Sequence, residues 1–218
     1  CLTERHGKLK GLVKGLRMHP SRHRSAMEPM TVNRIVFYDT RTSQIHLISQ
    51  CELLAPLSGI QQDLDTARCA AFCTDLTDTV VPLNDPQPAV YHLLKDTLER
   101  LALQGGDQTS LRVHFIVRLL RLAGFHPQLD RCANCQSPVQ TEGFWSAAQG
   151  GLLCPRCLHE DPRAEAVTPD VLHAFATLAE AEHPHALDER VLPILRQRLD
   201  EFLQWRLDRP LKTMSVPA

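Results

Sequence analysis

Two cysteine pairs carry the clearest chemistry in this 218-residue chain: Cys132-Ala133-Asn134-Cys135 and Cys154-Pro155-Arg156-Cys157, separated by 18 residues. Each Cys-x-x-Cys turn presents two sulfurs on one side of a tight knuckle. The segment between them is long enough for a hairpin that returns the second knuckle to the first. Four thiolates at this spacing predict one structural zinc ion per chain, because four protein ligands leave no open position for water or substrate. Gly150-Gly151, just before Cys154, supplies the backbone freedom such a return needs.

Competing chemistries for these cysteines lack their context. Cys-Pro-Arg-Cys resembles the redox turn of a thiol-disulfide oxidoreductase, but that turn needs a βαβ setting and a thiolate at a helix N-terminus. Neither pattern surrounds Cys154, and a redox pair has no use for Cys132 and Cys135. A zinc deaminase requires proline before its Cys-x-x-Cys and an upstream His-x-Glu. Here Leu153 precedes Cys154, and no His-x-Glu lies upstream. His159-Glu160 lacks the second histidine of a zinc-protease helix. Cys69 and Cys73, one helical turn apart, read as core thiols, and Cys1 and Cys51 as singles. Zinc with free thiols, without a signal peptide or a membrane-length apolar run, points to a reducing cytoplasm.

Charge is the second clue. The formal net charge is −1, but it is unevenly spread. Residues 1–24 hold seven cations (Arg5, Lys8, Lys10, Lys14, Arg17, Arg22 and Arg24) against the one acid Glu4, so the other 194 residues carry an excess of seven acids. A cationic end on short strands fits a nucleic-acid binder. Residues 1–36 contain no Phe, Tyr or Trp, and Phe37 and Tyr38 come next. Binding is therefore expected to rest mainly on phosphates, with steep salt dependence and little sequence preference. The alternatives are a solvated basic face or an interaction adaptor that meets an acidic protein surface. No Walker loop, paired catalytic carboxylates or nucleophile triad is visible, so the chain is not read as an enzyme.

The elements that must position these groups change character along the chain. Lys8 to Leu16, Thr31 to Asp39 and Gln44 to Glu52 alternate as strands, with Ile45 and Leu47 on one face. From Pro56 the period is helical. Helices are predicted over Leu64–Val80, over Pro86–Leu103 with Asp85 as N-cap, and over Ser110–Ala123, stopped by Gly124. The third is apolar nearly all round and should be buried, apart from a stripe at His114, Arg118 and Arg121. That stripe is either a solvated edge or a cationic seat for a partner's carboxylates. Two more helices follow, capped by Thr168 and Asp188.

Several stretches resemble one bacterial family. Leu2-Thr3-Glu4-Arg5-His6-Gly7-Lys8 and Val13-Lys14-Gly15-Leu16-Arg17 are similar to the N-terminal barrel of the recombination mediator RecO. Glu52-Leu53-Leu54-Ala55-Pro56 resembles its passage into the helical domain. Leu119 to Cys132, Gly150 to Cys154 and Arg209-Pro210-Leu211-Lys212-Thr213 resemble its run into the zinc knuckle, the return and the C-terminal close.

The resemblance implies a multidomain α+β chain: an OB-fold barrel over 1–52, a helical domain over 53–128 and 162–210, and a zinc-ribbon-like insert over 129–161. The barrel would lack its first strand, and the start at Cys1 reads as a trimmed N-terminus. The resemblance also implies binding of single- and double-stranded DNA, annealing of complementary strands, and action with RecR in RecF-pathway repair on the bacterial nucleoid. It implies help in loading RecA and contact with the C-terminal tail of single-strand DNA-binding protein. DNA contact is carried onto Arg5, Lys8, Lys10, Lys14, Arg17, Arg22 and Arg24. The acidic-tail contact is carried onto His114, Arg118 and Arg121. The metal is expected to brace the fold and not to perform annealing.

Overall fold

Strands before residue 56 and helices from residue 64 follow the change of period in the sequence, and three further short strands lie between residues 143 and 167. The computed structural model describes residues 1–13, 28–39, 44–103, 107–139, 142–184, 187–207 and 210–215. The chain divides into two units, Cys1–Gly106 and Asp107–Ala218.

In the first unit, β1 (Leu2–Thr3) and β2 (Gly7–Lys8) form an antiparallel hairpin. Gly7 has φ +68°, and a Cβ there would lie 2.1 Å from the Asp85 carbonyl oxygen, so only glycine fits. β3 (Lys10–Val13), β4 (Val32–Tyr38) and β5 (Ile45–Ala55) form a second sheet in the order β3-β5-β4. β3 runs parallel to β5 and β4 antiparallel to it. Among the described residues the two sheets do not close into a barrel, which differs from the expected architecture: within the second sheet the ladder stops at β3 on one side and β4 on the other.

Two α-helices follow in the described part of this unit. α1 spans Leu64–Val80, and its Asp63 cap accepts from the Thr66 N–H at 2.8 Å. Cys69 and Cys73 are buried in it beside Ala70, Phe72 and Leu76, as core thiols. α2 spans Pro88–Ala102. It begins two residues later than Pro86 because Gln87 precedes a second proline, which disfavours helical φ/ψ at Gln87. Asp85 consequently does not cap it and instead accepts from the Gln87 side chain at 2.9 Å.

The second unit is built around α3 (Gln108–Leu122), whose Val113, Phe115, Ile116 and Leu119 are fully buried. Asp107 caps it, accepting from the N–H groups of Thr109 at 2.9 Å and Ser110 at 3.2 Å. Gly124 follows the helix at φ +75°, the left-handed stop read from the sequence. α4 (Pro169–Glu180) and α5 (Val191–Arg206) pack on α3, and Arg112 of α3 reaches Asp200 of α5 at 2.8 Å. Thr168 occupies the cap position of α4 without a side-chain bond. Asp188 lies two residues before the α5 cap position, Arg190, and receives its N–H at 2.7 Å.

A small sheet of order β7-β6-β8 joins this bundle: β6 (Gly143–Ser146), β7 (Gly151–Leu153) and β8 (Glu165–Val167). Trp145 of β6 stacks on Phe175 of α4 at 5.8 Å and meets Phe202 of α5 at 5.9 Å. Buried Arg198 of α5 pairs with Glu165 of β8 and, at 3.1 Å, with Glu201. The sheet thus links the cysteine-bearing loops to the helices: Phe144 and Leu153 pack on the cysteine cluster, and Trp145 packs on α4 and α5.

Candidate metal centre and basic surface

The first knuckle closes where the Cys132 N–H donates to the Ser137 carbonyl at 2.8 Å and the Gln136 N–H to the Cys132 carbonyl at 2.9 Å. Gln136 takes φ +60° to make the turn. The second closes where the Cys157 N–H donates to the Cys154 carbonyl at 2.9 Å. β7 carries Cys154 back to the first knuckle, and the Ala133 N–H is held by the Leu152 carbonyl at 2.7 Å. Gly150 takes φ +82° in the β6–β7 turn, and Gly151 lies against the Gln128 backbone, where a Cβ would clash. The two glycines thus build the hairpin that brings the knuckles together.

The four sulfurs all lie within 4.8 Å of one another, and Cys135 Sγ is 3.8 Å from Cys154 Sγ. Tetrahedral sulfur ligation at a Zn–S distance of about 2.3 Å places sulfurs about 3.8 Å apart. The cluster is therefore compatible with zinc. Cys132, Cys154 and Cys157 are buried, and Cys135 is exposed.

Electrostatics shows why a cation belongs here. The Ser137 hydroxyl, 3.0 Å away, and the Ser137 N–H pull the Cys135 thiol down to about 6. Burial and then the neighbouring thiols push Cys157 up to about 12. At Cys154 burial opposes ionisation, but the Cys157 N–H helps to bring the thiol below its ordinary value. Four thiolates at this spacing repel one another, and a divalent ion compensates them. Ser137 escaped the sequence reading, although its place two residues after Cys135 is the signal that marks it.

The described N-terminal cations lie in different surroundings. Arg5 is exposed in the β1–β2 turn, and Lys10 is exposed at the start of β3. Lys8 is mostly covered: its Nζ donates to the Asp78 carbonyl at 2.5 Å and pairs with the Asp78 carboxylate at 3.3 Å. Lys14, Arg17, Arg22 and Arg24 lie outside the described residues. Arg34 of β4, absent from the sequence reading, is exposed and paired with Glu52 at 2.9 Å. The alternation Arg34, Val36, Tyr38 marks all three as one outward row.

The stripe on α3 meets the C-terminal end of α4. His114, only 2% exposed, has Nε2 3.0 Å from the Ala181 carbonyl. Arg118 Nη1 donates to the Ala179 carbonyl at 2.6 Å, and Arg121 pairs with Glu180 at 2.5 Å. His114 and Arg118 thus meet helix-end carbonyls, Arg121 meets a side-chain carboxylate beside them, and the two guanidiniums complement the α4 dipole. Arg121 remains partly exposed.

Family comparisons account for nearly the whole sequence. A family model described as "Recombination protein O N terminal" matches residues 1–57, and one described as "Recombination protein O C terminal" matches residues 61–215. The chain belongs to the RecO family. Proteins named DNA repair protein RecO are similar along its length. The RecO of Desulforudis audaxviator is 31% identical over 218 residues, covering 100% of this chain and 76% of that protein. The RecO of Moorella thermoacetica is 30% identical over 220 residues, covering 98% and 81%. The RecO of Pelotomaculum thermopropionicum is 27% identical over 219 residues, covering 98% and 83%. RecO membership places the chain among DNA repair and recombination proteins. No described helix is long and apolar enough to cross a membrane.

Proposed function

We propose that this chain is a non-enzymatic recombination mediator of the bacterial cytoplasm. It binds single- and double-stranded DNA, anneals complementary strands and, with RecR, helps load RecA onto strands covered by single-strand DNA-binding protein. The observation that carries this reading is the match to both halves of the RecO family, residues 1–57 and 61–215. Exposed Arg5 and Lys10 support it. So does the mixed pairing of β3 and β4 on β5, which is compatible with part of a five-strand Greek-key barrel of the OB type.

The mechanism is electrostatic. Complementary strands repel through their phosphates, and cations that neutralise phosphates release counterions and permit close approach. Arg5 and Lys10, with Lys14, Arg17, Arg22 and Arg24, form the phosphate-binding set, while Lys8 braces the β2 strand on Asp78. One zinc ion per chain, held by Cys132, Cys135, Cys154 and Cys157, cross-links the knuckles and takes no part in annealing. Arg121 offers a guanidinium to the acidic tail of the coating protein, while His114 and Arg118 hold the helix end beneath it.

A strand-annealing assay at two salt concentrations tests the reading. Replacing Arg5, Lys10 and Lys14 together with alanine is expected to slow annealing and flatten the salt dependence of DNA affinity. Unchanged annealing and an unchanged slope would refute the assignment.

A further inference from the structure

The outward face of the N-terminal three-stranded sheet carries the Arg34–Glu52 ion pair toward one end, but at the other end it is largely apolar where a solvated face is normally polar. Tyr38 of β4 lies opposite Leu47 of β5, which lies opposite Leu12 of β3. Cross-strand partners share a face, so these three side chains form one row. Lys10 and Ile45, opposite each other and two residues back, lie on the same face. The other face is the covered one: it holds Phe37, whose ring meets His6 edge-on at 5.1 Å and His46 at 5.3 Å. On the outward face Tyr38 is 63% exposed, and Leu12 and Ile45 are each 52% exposed.

An exposed aromatic ring, aliphatic neighbours and one exposed ammonium together make a platform for a base and its phosphate. The ring supplies stacking area that any base can use, and the cation meets the adjoining backbone. Charge selects the occupant. A second copy of the chain would bring the same cation, Lys10, to the contact, whereas a nucleic-acid strand brings the opposite charge. A duplex hides its base faces, so the strand must be unpaired.

We propose that Tyr38 stacks on an unpaired base of single-stranded DNA, with Lys10 on a neighbouring phosphate. This rests on the DNA-binding reading above and adds to it a contact that salt does not screen. It places one stacking contact beside the phosphate contacts expected from the sequence.

The test uses the whole chain with Tyr38→Phe, Tyr38→Leu and Tyr38→Ala, and labelled single- and double-stranded oligonucleotides followed by anisotropy at two salt concentrations. Tyr38→Phe is expected to bind like the parent. Tyr38→Leu and Tyr38→Ala are expected to lose about tenfold in single-strand affinity, the scale of one base–aromatic stack, with duplex affinity and salt slope unchanged. Thermal melts of the variants should match the parent, since the ring is exposed. Three results would overturn the proposal: equal single-strand affinity in all variants, full binding by Tyr38→Leu, or a change of oligomeric state in Tyr38→Ala with DNA affinity intact. In each of these the parent still binds DNA and the broader reading stands. A parent chain that forms no DNA complex would remove both.

Discussion

Arg118 donates from Nη1 to the carbonyl oxygen of Ala179 at 2.6 Å, which seats a guanidinium on the last turn of α4. His114, one turn earlier on α3, places its ring nitrogen 3.0 Å from the Ala181 carbonyl just beyond that helix. Carbonyls at a helix end lack intrahelical donors, so two side chains of α3 complete a hydrogen-bonding set that α4 leaves open. The junction ties α3 to the C-terminal end of α4.

Arg118→Met keeps the aliphatic stem and removes the donor. It is expected to cost about 1–3 kcal/mol, the range for leaving a partly buried acceptor unmet, measured by urea unfolding. Arg121→Ala breaks a more exposed ion pair and should cost less than about 1 kcal/mol. It should instead weaken binding of an acidic peptide tail. An equal loss of stability in both variants would show that the two arginines do not divide their work in this way.

Metal content should be one zinc per chain, and chelation should lower the melting temperature, because ligation is coupled to folding of the knuckles. Cys132→Ser, at a buried ligand, should destabilise the fold. Zinc affinity should rise with pH, since protons compete with metal for thiolates. With the Cys157 thiol at about 12, metal binding displaces its proton throughout the neutral range. With Cys135 at about 6, a further proton is displaced only below about that pH, so the pH dependence steepens there. Titration of the metal-free chain against a competing chelator from acid to neutral pH reads this slope directly.

Asp107 caps α3, and the Ser110 hydroxyl, then the Thr109 and Ser110 N–H groups, hold its carboxyl below the ordinary aspartate range. A depressed carboxylate contributes stability that is fully present above its unfolded value and is lost as pH falls through its folded value. Asp107→Ala should therefore cost about 1 kcal/mol at neutral pH. The difference between variant and parent should vanish in strong acid. Paired denaturation curves at several pH values measure it, and a gap that widens on acidification would contradict the cap.

Lys8 and Lys10 are near neighbours in sequence with opposite assignments. Lys8→Ala removes the bonds to Asp78 and should lower thermal stability. Lys10→Ala should leave the melt unchanged and reduce the logarithmic salt slope of DNA binding by about one unit. A reversed pattern would exchange their roles.

What the sequence made legible follows the range of the forces involved. The cysteine cluster was readable because ligand spacing is local and the hairpin between the knuckles is short. The alternating runs around Val32–Tyr38 and Ile45–Ala55 were readable for the same reason. The stripe of His114, Arg118 and Arg121 was visible as one helix face, but periodicity does not say what lies opposite, and the α4 carbonyls come more than 60 residues later. Lys8 looked like one more cation because Asp78, 70 positions on, is invisible to local reading. The start of α2 was missed for a short-range reason: the second proline, Pro88, restricts Gln87 and withdraws the helix from Pro86.

The parallel ladder of β3 on β5 pairs Lys10 with Ile45, 35 positions further along the chain. A nascent polypeptide emerges N-terminal end first, so β3 leaves the ribosome long before the strand it needs. The hairpin of β4 and β5 has nearer partners and can form without it. Translation stalled before Ile45 would therefore strand β3 as an unpaired edge, the state in which chains of this kind adhere to one another.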